Sequence, residues 1–427
     1  MFLNDYNDLA HPKVMEELLK IQKGHPGYGR DKLTDDAINY IKRDLETKDA
    51  GIYFIPGGTM TNILVAEAVL RPYEAILAAE TAHIEGHEAG SIEALGHKIL
   101  SIKTEDGKLF AKQVRNFSRT FKNDYQVKPG MVYISNTSEV GTYYSKNELT
   151  DLFRVCEQEG LFLFIDGARL SVAMAKAGIK AKDMKNLCHG FSFGATKNGA
   201  LFGEALVFFK EDLGLDFRRI MKRRGAMMAK GFLLGSQFKT LFEDGLYYEN
   251  GRIAQDMADY LIMGLENLAI KFAEKPQTNQ IFIELDKKIV DELKLNYDFE
   301  IVKDEMSQNI IRLVTNYTST REEINEFLQE LATLLGQDLD RGLLKKSLKK
   351  NLATLCFEYD NLKTSAILGA LEENKIYYEI KSEKNPNSLG VYVETGSSSS
   401  SFPTEILVDE EDFERADEIY RNLFARA

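Results

Sequence analysis

From Ile52 to Phe208, short apolar runs alternate with amphipathic stretches, the rhythm of βα units that assemble a mostly parallel sheet flanked by helices. The runs predict strands at 52–55, 75–79, 98–102, 131–135, 161–165, 190–193 and 205–209. Helix starts agree with this rhythm. Ser145 and Glu148 form an S-x-x-E capping box, and Pro12 suits a first helical turn ahead of Val14, Leu18 and Ile21. A large α/β domain is therefore expected over residues 1–250, including an N-terminal arm over 1–29.

The pattern changes after it. Residues 251–336 read as a long helix through Leu268, strands near 280–285 and 310–315, and a helix from Arg321 to Leu335, which together suggest a small α+β domain. A Leu- and Lys-rich stretch over 337–350 without strand signal reads as a helical or flexible connector. A third, α+β module follows over 351–427: strand 353–359, helix 361–373, strand 376–382, strand 405–408 and helix 410–424. Between its later strands, Gly396 and Ser397 through Ser401 form a Gly/Ser run of the kind found in solvated loops. No internal repeat of fixed period is visible.

Composition narrows the functional classes. At 427 residues with 44% apolar content, the chain is long enough for two or three domains and a large core. Its 66 acidic and 54 basic residues give a net charge of −12, which argues against nucleic acid or an anionic membrane as the main partner. Cys156, Cys188 and Cys356 have no paired spacing, so neither a disulfide framework nor a cysteine zinc site is supported. The N-terminus lacks a basic region followed by an apolar run, and no stretch approaches the ~20 apolar residues that span a bilayer, so a cytoplasmic protein is expected.

Three motifs carry chemistry. Phe164-Ile165-Asp166-Gly167-Ala168-Arg169 puts an acid at the end of an apolar strand, and Gly194-Ala195-Thr196-Lys197-Asn198-Gly199 follows on the next βα step. Ligands bind at the carboxyl ends of such strands. An Asp there can hold a protonated pyridine nitrogen, and a partly buried lysine beside other cations becomes nucleophilic toward a carbonyl. The second motif, Pro56-Gly57-Gly58-Thr59, opens a helix whose first backbone N–H groups suit a phosphate; a plain Gly-Gly turn is the competing reading. In the third, Ala82-His83-Ile84-Glu85-Gly86-His87-Glu88, His83 could stack on a cofactor ring, exchange protons or serve only structure. The i, i+4 pair His83 and His87 lacks the H-E-x-x-H pattern and a third ligand, so no metal is expected.

The order of these pieces resembles that of low-specificity threonine aldolases, in the β-eliminating lyase group of fold type I pyridoxal 5′-phosphate (PLP) enzymes. Residues 1–336 carry the likeness, through Asn4-Asp5-Tyr6, Gly27-Tyr28-Gly29-Arg30-Asp31, Pro56 through Asn62, Ala82-His83, Glu139-Val140-Gly141-Thr142, Asp166 through Arg169, Thr196 through Gly199, Gly203-Glu204-Ala205 and Ile311-Arg312-Leu313. The resemblance implies that Lys197 carries PLP as a Schiff base, with Asp166 on the ring nitrogen, His83 stacked on the ring, Gly57, Gly58 and Thr59 at the phosphate, and Thr196 beside them. It implies that Arg169 and Arg312 hold the substrate carboxylate or the cofactor phenolate, with Asn4 and Tyr28 at the substrate. It also implies a homodimer or homotetramer with shared active sites, to which a basic residue near Lys222-Arg223-Arg224 or Lys230 contributes; a solvated basic face is the plainer reading of that run.

Two departures bear on substrate. The family's serine near the N-terminus is Asn4 here, and where many relatives carry a histidine after an Asn-Thr pair, Asn136-Thr137 is followed by Ser138 and Glu139. His83, Glu88 and, through water, Glu139 are the candidates for the base that takes a β-hydroxyl proton. The expected reaction is cleavage of a β-hydroxy-α-amino acid such as L-threonine or L-allo-threonine to glycine and an aldehyde; β-elimination on another amino acid and a non-catalytic ligand-binding role are the alternatives. The C-terminal module weakly resembles small signal-transducing-like domains, which implies a regulatory or assembly role.

Overall fold

The computed structural model describes residues 2–337 apart from 22–23, 210–212, 214–215 and 306, and residue 339; beyond these it describes 352–358, 361–374, 376, 378–382, 404–409 and 413–424. The chain forms two compact units, Met1–Asp340 and Arg341–Ala427. The connector expected over 337–350 falls almost wholly outside the described residues, as does the run Gly396–Ser401.

In the first unit seven strands form one sheet: β1 (Gly51–Ile55), β2 (Glu74–Ala79), β3 (Ile99–Ile102), β4 (Lys128–Ser135), β5 (Phe162–Asp166), β6 (Gly190–Gly194) and β7 (Glu204–Phe208). Their order is β1-β7-β6-β5-β4-β2-β3, and only β7 runs against its neighbours β6 and β1. Each strand lies within three residues of its predicted limits. Because successive side chains point to opposite faces, strands buried on both faces must be apolar throughout. Val132, Ile134, Leu163, Ile165, Ala205 and Val207 face one core, with Leu149, Leu152, Leu234 and Phe238 from the covering helices. Met131, Tyr133, Phe162, Phe164, Leu206 and Phe208 face the other, with Leu64, Val65, Phe217 and Met221. Phe164 is fully buried, so Phe164→Ala is expected to cost about 3–5 kcal/mol.

A second, antiparallel sheet has the order β10-β11-β9-β8, from β8 (Lys271–Phe272), β9 (Gln280–Asp286), β10 (Glu300–Asp304) and β11 (Gln308–Val314). The helix expected to begin the small domain at 251 starts earlier, over Leu246–Asn267, after Gly245 in the left-handed region as its N-cap, and buries Leu246, Tyr247, Asn250 and Gly251. The N-terminal arm, counted with the large domain, also joins the smaller sheet: the Val314 amide donates to the Phe2 carbonyl at 3.0 Å, and the Phe2 amide to Asp298 at 3.0 Å.

The second unit has three antiparallel strands, β12 (Leu352–Glu358), β13 (Tyr378–Ser382) and β14 (Thr404–Asp409), in the order β12-β14-β13. The helices Asn361–Glu373 and Phe413–Phe424 complete it around Leu355, Ile367, Leu371, Ile406, Val408 and Ala416. Residues 410–412, where its last helix was expected to start, and 359, 375, 377 and 383–403 lie outside the described residues.

Candidate active site

Several of the polar residues that the first unit buries, among them Asn136, Thr137, Asp166, Arg169 and Asn198, follow or end β4, β5 and β6. Asp166, the last residue of β5, is 7% exposed. One of its oxygens accepts from Tyr133 Oη at 2.5 Å and Asn62 Nδ2 at 3.1 Å, and the other from the Ala168 amide at 3.0 Å. Burial raises the Tyr133 phenol well above its ordinary range and the Asp166 charge pushes it the same way, so Tyr133 stays a donor. Three fixed donors hold the carboxylate in one orientation.

Beyond β6 the chain turns through Ala195–Gly203, carrying Lys197. The Asn198 side chain donates to the Tyr247 carbonyl at 2.8 Å, Asn250 Nδ2 donates to the Asn198 carbonyl at 3.0 Å, and the His11 amide donates to Gly199 at 2.9 Å. The lysine thus projects from a braced turn. Two glycines let the ends of β5 and β6 approach: a Cβ on Gly167 would lie 1.7 Å from the Ser192 carbonyl oxygen, and one on Gly194 2.6 Å from Ala168 Cα. Any side chain at either position would drive Asp166 away from the Lys197 turn. Burial lowers the Lys197 amine below the usual lysine range and the Arg169 charge adds to this, with Asp5, Glu139 and Asp166 opposing.

β1 leads into the helix Gly58–Val69, whose N-cap, Gly57, offers no side-chain hydrogen bond. Thr61 is the first residue to donate back, to the Gly57 carbonyl, so the amides of Gly58, Thr59 and Met60 have no partner within the helix. A Cβ at Gly57 or Gly58 would meet nothing within 4 Å, and Thr59 is exposed. Open space therefore faces the positive end of the helix dipole.

His83 Nδ1 lies 3.5 Å from Glu139 Oε1, and its ring stacks on His87 with centroids 5.4 Å apart. The hydrogen bond to Glu139 raises the imidazole's pKa, against burial. Glu139 moves the other way: burial would raise it, but His83, Arg169 and Lys197 bring it down to about 2. Glu88, the other acid considered as a base, is 6% exposed and already engaged, accepting from Asn62 Nδ2 at 2.7 Å and Ser91 Oγ at 2.7 Å. Burial raises its pKa. Asn62 thereby bridges Glu88 and Asp166.

Arg169 forms a buried bidentate pair with Asp5, Nε to Oδ2 at 2.6 Å and Nη2 to Oδ1 at 3.0 Å, and Asn279 Nδ2 donates to the same acid at 3.1 Å. Arg312, on β11, bonds Gln280 at 3.2 Å and pairs with Glu300, while its Nε is buried with no hydrogen-bond partner. Gln280 in turn donates to the Ser138 carbonyl at 3.1 Å, which ties Arg312 to the segment that carries Glu139. Asn4 accepts from the Tyr6 amide at 3.0 Å, a local turn that spends its carbonyl oxygen. Tyr28 is 45% exposed; Lys222 Nζ lies 4.8 Å from its ring centroid and Arg218 donates to its carbonyl. In the basic run, Arg223 and Arg224 pair with Glu67.

Sequence reasoning gave no role to Asp5, Asn62, Tyr133 or Asn279. Asp5 and Asn62 lie inside the motifs Asn4-Asp5-Tyr6 and Pro56 through Asn62, but the partners that define their roles, Arg169, Asp166 and Glu88, are distant in the chain. For Tyr133 in β4 and Asn62 in its helix, a further signal is a polar residue ahead of or within an apolar run.

The sequence model of the family described as beta-eliminating lyase matches residues 5–288. A solved threonine aldolase from Leishmania major is 39% identical, with a TM-score of 0.76, covering 78% of this chain and 99% of that one. Among curated proteins, a low specificity L-threonine aldolase of Pseudomonas aeruginosa is 28% identical over 348 residues, 78% of this chain and 98% of the relative. Another, from a Pseudomonas strain, is 29% identical over 299 residues, 69% of this chain and 86% of the relative. The family match does not reach the C-terminal unit.

Proposed function

Because the chain belongs to the beta-eliminating lyase family, we propose that it binds pyridoxal 5′-phosphate and cleaves a β-hydroxy-α-amino acid, L-threonine or L-allo-threonine, to glycine and an aldehyde. The observation that best supports this is Lys197, its basicity lowered by burial, on a braced turn that two glycines bring against a buried, triply bonded Asp166. The residues fit the cofactor. The uncapped Gly57-Gly58-Thr59 terminus suits its phosphate, with Thr196 beside Lys197; Asp166 suits its ring nitrogen; and the Lys197 amine suits its aldehyde. His83 is assigned to the ring face.

Bound there, PLP supplies an electron-poor ring that accepts the electron pair left on Cα when the Cα–Cβ bond breaks. The chain's own residues do the rest. Arg312, whose buried Nε has an unspent donor, and Arg169, which Asp5 holds rigid through Nε and Nη2, orient the substrate carboxylate. The His83–Glu139 pair accepts the β-hydroxyl proton as the C–C bond breaks, and a proton returned to Cα completes glycine. Glu88 is not assigned as the base, since both of its oxygens are engaged.

Incubation with L-threonine, L-allo-threonine and phenylserine tests the reaction. Glycine with acetaldehyde or benzaldehyde in equal amounts is expected. A keto acid with ammonia would replace cleavage with β-elimination, and no product from any of the three would refute the substrate class. We further propose a homodimer or homotetramer with shared sites, in which Lys222, Tyr28, Tyr6 and Leu9 lie at the subunit contact. Tyr6 and Leu9 are 55% and 73% exposed in the single chain. Sedimentation at the mass of one chain would refute it.

A further inference from the structure

The turn that carries Lys197 is closed by a carboxyl group to which the reaction above gives no task. Glu204 opens β7 and pairs across the sheet with Gly194 on one side and Ile55 on the other. The Thr196 hydroxyl donates to Glu204 Oε1 at 3.3 Å and accepts from the Gly203 amide at 2.9 Å. The residue just before the lysine is therefore bonded to the two residues that end its turn. Glu204 is 4% exposed, and Thr196 is its one side-chain partner among the described residues. A carboxyl group buried with so little compensation is expensive to keep as an anion.

Resting on the assignment of Lys197 as the cofactor lysine, we propose that Glu204 is a positioning residue which, through Thr196, fixes the Lys197 turn for the cofactor's aldehyde and does so as the uncharged acid. The groups that face it explain the charge state. Burial pushes the carboxyl group well above its usual range and Asp166, from β5, pushes it further; Lys197 and Thr196, from the turn, oppose. Tyr247, from the helix Leu246–Asn267, is kept as a neutral phenol by burial. An ionised Glu204 would add a second anion beside Asp166. It would also stand across from Ile55, two residues before the Gly57 terminus assigned to the phosphate. The uncharged acid avoids both repulsions and still accepts from Thr196 through its carbonyl oxygen, as the amide of glutamine would.

The test titrates the purified full-length protein, freed of cofactor, with PLP from neutral to alkaline pH and reads absorbance above about 400 nm, where the lysine-bound chromophore is expected. The parent should bind more weakly as Glu204 ionises. Glu204→Gln should match the parent at neutral pH within about threefold and lose the alkaline weakening. Glu204→Leu, which cannot accept from Thr196, should bind about tenfold more weakly at every pH. A Glu204→Gln protein with the parent's pH profile, or with a tenfold loss at neutral pH, overturns the proposal. A parent that binds no PLP overturns the assignment of Lys197 instead.

Discussion

Glu88 and Glu139 both interact with His83, and the site drives them to opposite states. Burial raises Glu88, and its hydrogen bonds from Ser91 and Asn62 do not offset that. Glu139 also loses solvent, but His83, Arg169 and Lys197 hold it down to about 2. The same side chain becomes an anion where cations surround it and tends toward the acid form where its neighbours are an alcohol, an amide and the Asp166 carboxylate. Divergence of this kind separates a group that shares a proton with His83 from one that braces the wall behind Asp166.

Removing the imidazole should separate the two acids most severely. His83→Ala is expected to lower kcat/KM by about 10³-fold while the protein still binds PLP; a loss under tenfold would detach both acids from proton transfer. Next in size is the charge that helps hold Glu139 down. Asp5→Ala leaves the buried Arg169 guanidinium without its bidentate partner, which should cost about 3–5 kcal/mol in urea unfolding of the first unit, and an unchanged midpoint would mean that the pair is not buried in solution.

Glu139→Gln should reduce kcat/KM about tenfold and, more tellingly, move the His83 titration, followed by histidine NMR, to lower pH. The sign follows from the pair. His83 is raised above its ordinary 6.5, so its contribution to stability is full below that value and is lost as pH rises through the raised one; Glu139 is lowered from 4.5, so its contribution is present above 4.5 and is lost as pH falls toward 2. Both contributions are full between 4.5 and 6.5, so Glu139→Gln should lower the stability plateau there and flatten the falls on either side of it. Glu88→Gln, which keeps an acceptor for Asn62, is expected to change kcat/KM by about threefold at most. A larger loss than that of Glu139→Gln would reverse the comparison.

Much of this was legible in the sequence, for a physical reason. Strands buried on both faces must be continuously apolar, so Phe162–Asp166 and Gly190–Gly194 stood out, and Asp166 and Lys197 stood out as the charges that follow them. β10 was not seen, because its side chains are largely exposed and carry no apolar alternation, and the two-residue β8 is too short to leave a pattern. Partnerships were less legible still. That Asp5 would neutralise Arg169, that Asn62 would join Glu88 to Asp166, and that the arm would bond Val314 are long-range contacts set by packing, with no trace in local periodicity. Glu88 looked like a free base for the same reason: its partners Asn62 and Ser91 are visible only in three dimensions.

The central claim is that Lys197 binds the cofactor, and the absorbance of the purified protein tests it most directly. After PLP is added and excess removed, the parent should hold a band above about 400 nm at neutral pH and Lys197→Ala should not, because the chromophore is fixed by the lysine. A parent as colourless as the variant, or a variant as yellow as the parent, would contradict the account.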